Sequence, residues 1–213
     1  MKKGLAVIWL VLALLLAGCN PKISKPVAKP SIQTGQHALT FTQQVSVELH
    51  YWLFLPEEYG RAEKKWPLIL FLHGAGERGE NLEKVKVHGP PMIAERDKNF
   101  PFIVVSPQCP EGKTWTNKAE SLISLLDEIV ASYDVDPGRV YLTGLSMGGF
   151  GSWELGSTYP DRFAAVVPIC GGGQNWRVCD LKEVPVWAFH GAKDAAVPLA
   201  KSEEMVKALE ACG

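Results

Sequence analysis

Tyr141-Leu-Thr-Gly-Leu-Ser-Met-Gly-Gly-Phe150 is the stretch that decides the fold of this chain. Arg139 to Thr143 reads as a short buried strand. Gly144-Leu145-Ser146-Met147-Gly148 follows with the spacing Gly-x-Ser-x-Gly, and Phe150, Trp153 and Leu155 then recur at helical spacing. A serine on a sharp turn between a buried strand and a helix stands clear of neighbouring side chains. It sits beside the N–H groups of the helix's first turn, which have no partner inside the helix and can stabilise an oxyanion. Gly144 and Gly148 give the turn its room, and Gly149 lets the helix approach the sheet. An ordinary Gly-rich strand–helix turn can carry the same pentapeptide, so the reading rests on what surrounds it.

Outward from this turn, buried strands alternate with helices. Val45, Val47, Leu49, Tyr51, Leu53 and Leu55 alternate in the manner of a strand with one buried face. Pro67 to Leu72 and Phe102 to Val105 are continuous apolar runs, the first ending in His73-Gly74 and the second in Ser106-Pro107. Over residues 119–133, Leu122, Leu125, Leu126, Ile129 and Val130 fall on one helical face, and Asp134-Val-Asp-Pro-Gly138 closes that helix. Tyr159-Pro160 breaks the helix after the serine turn. Phe163–Ile169 and Val184–Phe189 read as strands, and Leu199–Leu209 as a last helix. This order predicts an α/β three-layer sandwich: a mostly parallel central sheet covered on both faces, with the chemistry in loops at the strand C-terminal ends.

The bulk properties narrow the function. The chain has 213 residues, 46% of them hydrophobic, and a net charge of −1. That is enough for one domain with a sizeable core, without the charge excess that nucleic acid binding requires. Met1-Lys2-Lys3 followed by the apolar run Leu5–Ala17 has the size of a signal-peptide core and is short for a membrane span. The run ends in Leu16-Ala17-Gly18-Cys19, which resembles the bacterial lipoprotein signal; a plain secretory signal or an N-terminal anchor is the other reading. The resemblance implies lipidation of Cys19, attachment to the membrane through that lipid, and a place in the cell envelope, at the outer membrane or cell surface. Residues 1–19 are then the signal, 20–40 a Pro-rich tether and 41–213 the folded domain. In an exported chain Cys109, Cys170, Cys179 and Cys212 are candidates for disulfides. Cys170 and Cys179 flank a Gly-rich loop and could pair, and buried free thiols are the alternative.

Two further strand ends carry chemistry. His73-Gly-Ala-Gly-Glu-Arg-Gly79 follows a buried strand, and its glycines allow a backbone N–H to point at a ligand. Phe189-His-Gly-Ala-Lys-Asp194 ends another strand, where a carboxylate could orient a catalytic histidine or simply cap a turn. Together, His-Gly-Ala-Gly-Glu, Gly-Leu-Ser-Met-Gly-Gly and His-Gly-Ala-Lys-Asp resemble the α/β-hydrolase superfamily. The resemblance is to the secreted carboxylesterases related to polyhydroxybutyrate depolymerases, feruloyl esterases and dienelactone hydrolases, and covers about residues 45–211. It implies Ser146 as nucleophile, Asp194 as the acid of a triad, and oxyanion donors from the N–H groups of Met147 and Ala75. It further implies substrate contacts from Gln108 of Ser-Pro-Gln-Cys-Pro110, from Trp115 and from Glu77. The substrate is a small-molecule or polysaccharide-linked ester, and the chemistry requires no metal and no organic cofactor.

The histidine does not fit this pattern. The triad order of the fold is serine, acid, histidine. The five histidines are His37, His50, His73, His88 and His190, and none follows Asp194. The resemblance places the base after one further strand, covered by a final helix, so the sequence is expected to lack the last strand, base and helix. A serine peptidase of prolyl-oligopeptidase type shares the serine turn, and an inactive, surface-tethered binding remnant is the reading from outside enzymology. The N-terminal reading is tested by metabolic labelling of expressing bacteria with a radioactive fatty acid. Label is expected on the wild-type protein and absent from Cys19→Ala.

Overall fold

The computed structural model describes residues 48–61 and 63–213. The signal, Cys19, the tether, His37, and Val45 and Val47 of the expected first strand lie outside the described residues. No helix among the described residues is long and apolar enough to cross a membrane.

Five strands form one sheet: β1 (Tyr51–Phe54), β2 (Trp66–Leu72), β3 (Ile103–Pro107), β4 (Val135–Leu145) and β5 (Ala165–Ile169), in the spatial order β1-β3-β2-β4-β5. Only β1 runs antiparallel, with Tyr51 opposite Pro107. The others are parallel, with Leu70 opposite both Val105 of β3 and Leu142 of β4. Four α-helices connect or flank them: α1 (Gly89–Arg96), α2 (Ala119–Ser132), α3 (Met147–Thr158) and α4 (Ala200–Glu210). The chain moves from β2 through α1 to β3 on one side, then back across β2 through α2 to β4 and through α3 to β5. Right-handed crossovers therefore put α1 on one face and α2 and α3 on the other. Leu68, Leu70 and Leu72 are fully buried on the α2–α3 side, with Leu122, Leu126 and Ile129 of α2 and Trp153 and Leu155 of α3 in the same core. The mostly parallel sheet with helices on both faces agrees with the expected fold class.

Four local differences have physical causes. Helix α1 was not expected. Pro90 and Pro91 occupy its second and third positions, after Gly89, where a missing N–H costs nothing. Strand β4 begins at Val135, inside the stretch expected to be a turn, and its register shifts between Trp66 and Leu68 to accommodate Asp136-Pro137-Gly138. The segment expected as a strand over Val184–Phe189 lies parallel to β5 through two isolated bridges, Val166 with Val186 and Ile169 with Phe189. Val166 donates to Pro185 O, Trp187 to Val166 O, Phe189 to Pro168 O and Cys170 to Phe189 O. The missing rung falls at Pro168, which has no N–H to offer. The fourth difference is covalent. The disulfide joins Cys179 to Cys212, with Cα atoms 5.4 Å apart, and not Cys170 to Cys179. Cys109 and Cys170 are free thiols.

That disulfide fastens the end of α4 to the short 3-10 turn Val178–Leu181, closing a loop across a sequence separation of 33. On the α1 side, an apolar groove of about 270 Å³ opens over Ile69, Phe102, Tyr141, Thr143 and Val167, all only half-buried apart from Leu142 at its floor. Trp187 (69% exposed) and Phe189 (41% exposed) stand nearby at the sheet edge with ring centroids 4.7 Å apart. A closed loop of this size limits the unfolded ensemble by about 3–4 kcal/mol. Cys212→Ser is therefore expected to lower Tm by on the order of 10 °C, measured by circular dichroism under non-reducing conditions.

Candidate active site

Ser146 closes β4 and opens α3 with φ 54° and ψ −114°, a backbone conformation that costs a residue with a Cβ and persists only where the surroundings impose it. The imposing contacts are backbone on backbone. A Cβ on Gly148 would collide with the carbonyl of Leu72, and one on Gly144 would collide with the carbonyl of Gly148. Glycine at both positions lets α3 start directly on the ends of β2 and β4. The Ser146 N–H donates to Ile169 O (2.9 Å) and its carbonyl accepts the Phe150 N–H (3.0 Å), so β5 and α3 hold the residue from both sides. Its hydroxyl caps nothing. It faces a cleft of about 350 Å³ lined by Thr114, Thr116, Met147 and Phe150.

The loop after β2 is built on His73, which is 1% exposed. Its Nε2 accepts the Cys109 N–H (2.9 Å), so its proton is on Nδ1 and is donated to Gly74 O (2.6 Å). Its own carbonyl accepts the Trp115 indole N–H (2.9 Å), and the two rings meet edge to face. One imidazole thus ties the ends of β2 and β3 to the start of the 3-10 turn Trp115–Asn117. Burial holds its pKa below the ordinary histidine value. Ala75 begins the 3-10 turn Ala75–Glu77, and Arg78 secures it by donating to Ala75 O (3.0 Å). A Cβ on Gly74 would lie 3.8 Å from Ser146 Cβ and 3.6 Å from Leu145 O, so this loop presses against the serine turn.

Asp194 lies in the loop after the β5-adjacent segment. Its Oδ1 accepts the N–H groups of Ala196 (2.8 Å) and Val197 (2.9 Å), and Oδ2 is 3.7 Å from His190 Nε2. The Val197 and Ala196 N–H groups hold its carboxyl below the usual carboxylate range. Cys170, the residue after β5, has φ 41°. Burial pushes its thiol up, the Ser146 N–H acts on it in the opposite sense, and the Asp194 charge adds to the rise.

The histidines are otherwise engaged. His190 Nε2 donates to Val197 O (2.8 Å) and its Nδ1 meets Ser202 Oγ (2.7 Å) of α4, which donates on to Gly171 O (2.8 Å). His88 is exposed with its Nε2 3.6 Å from Glu77, and His50 is exposed beside Glu48. None of the described histidines is hydrogen-bonded to Ser146. Trp115 and Gln108 do not present surfaces to a ligand, contrary to the expectation. Trp115 is 1% exposed, so the cleft wall is made by its neighbours Thr114 and Thr116. Gln108 is 2% exposed and donates both Nε2 protons, to Glu77 O and Asn81 O (2.8 Å each). Both are interior struts of the loops they were expected to decorate. Thr116 and Phe150 had no distinguishing sequence signal.

The chain belongs to the Esterase family, described as "Putative esterase", whose model matches residues 42–196. Poly(3-hydroxyalkanoate) depolymerase C of Paucimonas lemoignei is 33% identical over 121 residues, which are 50% of this chain and 28% of that protein. The bifunctional acetylxylan esterase/xylanase XynS20E of Neocallimastix patriciarum is 27% identical over 146 residues, 66% of this chain and 21% of that protein. The chain thus spans under a third of the length of these curated relatives. Among solved structures, a thermostable esterase superposes with TM-score 0.69 and 34% identity over 79% of this chain and 49% of that one. A feruloyl esterase module from Clostridium thermocellum superposes with TM-score 0.62 at 18% identity, over 77% of this chain and 71% of that one, a likeness of fold.

His73 makes two predictions. His73→Ala removes the acceptor of a buried N–H and leaves a cavity, an expected loss of about 2–4 kcal/mol in urea unfolding. Because burial lowers its folded-state pKa, the unfolded chain takes up the proton first as pH falls below about 6.5. Stability is complete above that value and is expected to decline as pH drops toward the folded-state pKa. The slope of Tm between pH 7 and 5 should shrink in His73→Asn.

Proposed function

We propose that the chain carries the catalytic apparatus of a serine carboxylic-ester hydrolase acting through an acyl-enzyme. The observation that carries this reading is Ser146. It is a non-glycine residue held at positive φ between a buried strand and a helix, with its hydroxyl uncommitted and a cleft in front of it. Strain of this kind persists at functional sites because the surrounding structure over-determines it.

In the reaction, Ser146 Oγ attacks the ester carbonyl carbon. The oxyanion that forms is held by the N–H of Met147, the first residue of α3, and by the N–H of Ala75 in the loop pressed against the turn. Loss of one such donor typically costs about 3 kcal/mol of transition-state stabilisation. The acyl group lies in the cleft between Phe150, Met147, Thr114 and Thr116, which suits short acyl or aryl groups of the acetyl or feruloyl kind. Such esters include those on polysaccharide, the substrates named for the acetylxylan and feruloyl esterases among the relatives. Asp194, ionised and with Oδ2 turned from its backbone donors, orients the base. That base is a histidine, which takes the Ser146 proton and returns it to the leaving alcohol. Water then releases the acid by the same route.

The protein acts outside the cytoplasm, anchored through lipid on Cys19. The Cys179–Cys212 disulfide supports export, since such bonds persist in oxidising compartments. The test is Ser146→Ala in the full-length gene product, assayed with phenyl acetate and with a fluorophosphonate probe. Turnover is expected to fall by about 10⁴-fold or more and labelling to vanish, with Tm nearly unchanged. Turnover close to wild type in that variant would refute the assignment.

A further inference from the structure

Glu77 is a carboxylate at the edge of the serine turn that accepts no hydrogen bond among the described residues. Its side chain is only 14% exposed, yet none of the hydrogen bonds among the described residues ends on its oxygens. The two imidazoles beside it stand at ion-pair distance and beyond hydrogen-bond reach: His73 Nδ1 is 3.8 Å from Oε2, and His88 Nε2 is 3.6 Å from Oε1. The His73 proton is already committed to Gly74 O, and Arg78 is turned to the carbonyls of Ala75 and Lys113. The Gln108 amide that reaches this residue meets its backbone carbonyl and not its carboxylate. Its carboxylate oxygens are still reached by solvent, so they can accept a hydrogen bond from outside. The group is also close to the reacting centre. The point where a Cβ of Gly74 would stand is 3.0 Å from Glu77 Oε2 and 3.8 Å from Ser146 Cβ, so the two side chains are neighbours across a residue that has none. Glu77 does not line the cleft of Thr114, Thr116, Met147 and Phe150, so it faces a different part of the substrate from the group held there.

We propose that Glu77 is a specificity-determining residue that accepts a hydrogen bond from a hydroxyl on the alcohol half of the ester, selecting esters of polyols over esters of alcohols without hydroxyls. This rests on the ester-hydrolase reading and deepens it. The carboxylate has two opposed effects. Its charge disfavours the oxyanion beside it, which slows every ester. A substrate hydroxyl donated to it offsets that penalty through a charge-assisted hydrogen bond, which only a polyol ester can form.

The test compares three esters on wild type and Glu77→Gln in the full-length gene product: glyceryl monoacetate, its di-O-methyl ether, and phenyl acetate. Wild type is expected to prefer glyceryl monoacetate over the ether by about tenfold or more in kcat/KM, the size of one charged hydrogen bond. In Glu77→Gln that preference should fall to about threefold or less, while kcat/KM for phenyl acetate rises by about threefold. A variant that merely loosened the loop would lower all three together, and that result overturns the proposal. So does a wild-type enzyme that treats glyceryl monoacetate and its ether alike, whatever the variant does. If wild type hydrolyses none of the three, the ester-hydrolase reading itself fails, and the subsite with it.

Discussion

The carbonyl of Leu72 leaves no room for a side chain at Gly148, and much of the molecule follows from that contact. It seats the first turn of α3 directly on the C-terminal edge of the sheet, one strand away from its own. The helix is then covered along most of its length: Gly151 rests on Trp115 and Leu72, and Gly156 on Val166 and Leu181. A helix enclosed in this way cannot be amphipathic, and α3 is small or apolar nearly throughout, Glu154 being its one charged residue and paired with Arg177. The residue preceding it has to reverse direction within one peptide, which is what forces Ser146 to positive φ.

His73 does for the loops what Gly148 does for the helix. Loops at strand ends cannot be fixed by the sheet ladder, which stops there. A buried imidazole with two ring nitrogens and a backbone carbonyl spans the gap, engaging Gly74, Cys109 and Trp115 at once. Gln108 repeats the device one residue before Cys109. His190 repeats it at the next strand end, linking the Asp194 loop through Ser202 to Gly171. The site is thus framed by polar side chains buried behind it, a more rigid arrangement than exposed ion pairs provide.

Much of this is visible in the amino-acid order. Gly-x-Ser-x-Gly after an apolar run is a local pattern, and a buried strand followed by a Gly-rich loop is another; both are read within ten residues. What escapes is whatever depends on distant partners. Trp115 and Gln108 are ligand-facing only by resemblance to the family. Only the fold reveals that their donors are consumed by His73 O, Glu77 O and Asn81 O. The choice of Cys212 over Cys170 as partner of Cys179 depends on where α4 ends, which no spacing rule contains. Helix α1 escapes for a local reason: proline is disfavoured inside a helix and favoured at its start, and Pro90-Pro91 alone do not say which applies.

The Cys179–Cys212 bond also changes what a protease can do to this domain. The loop Gly191–Ala196 is largely exposed and lies between the two bridged cysteines, so it is the natural place for a cut. A single cleavage there leaves α4 covalently attached and still hydrogen-bonded through Ser202 to Gly171. Under non-reducing conditions a molecule nicked in this loop migrates as one species. In an environment rich in secreted proteases, the bridge turns a potentially inactivating cut into a tolerated one, provided Asp194 keeps its place.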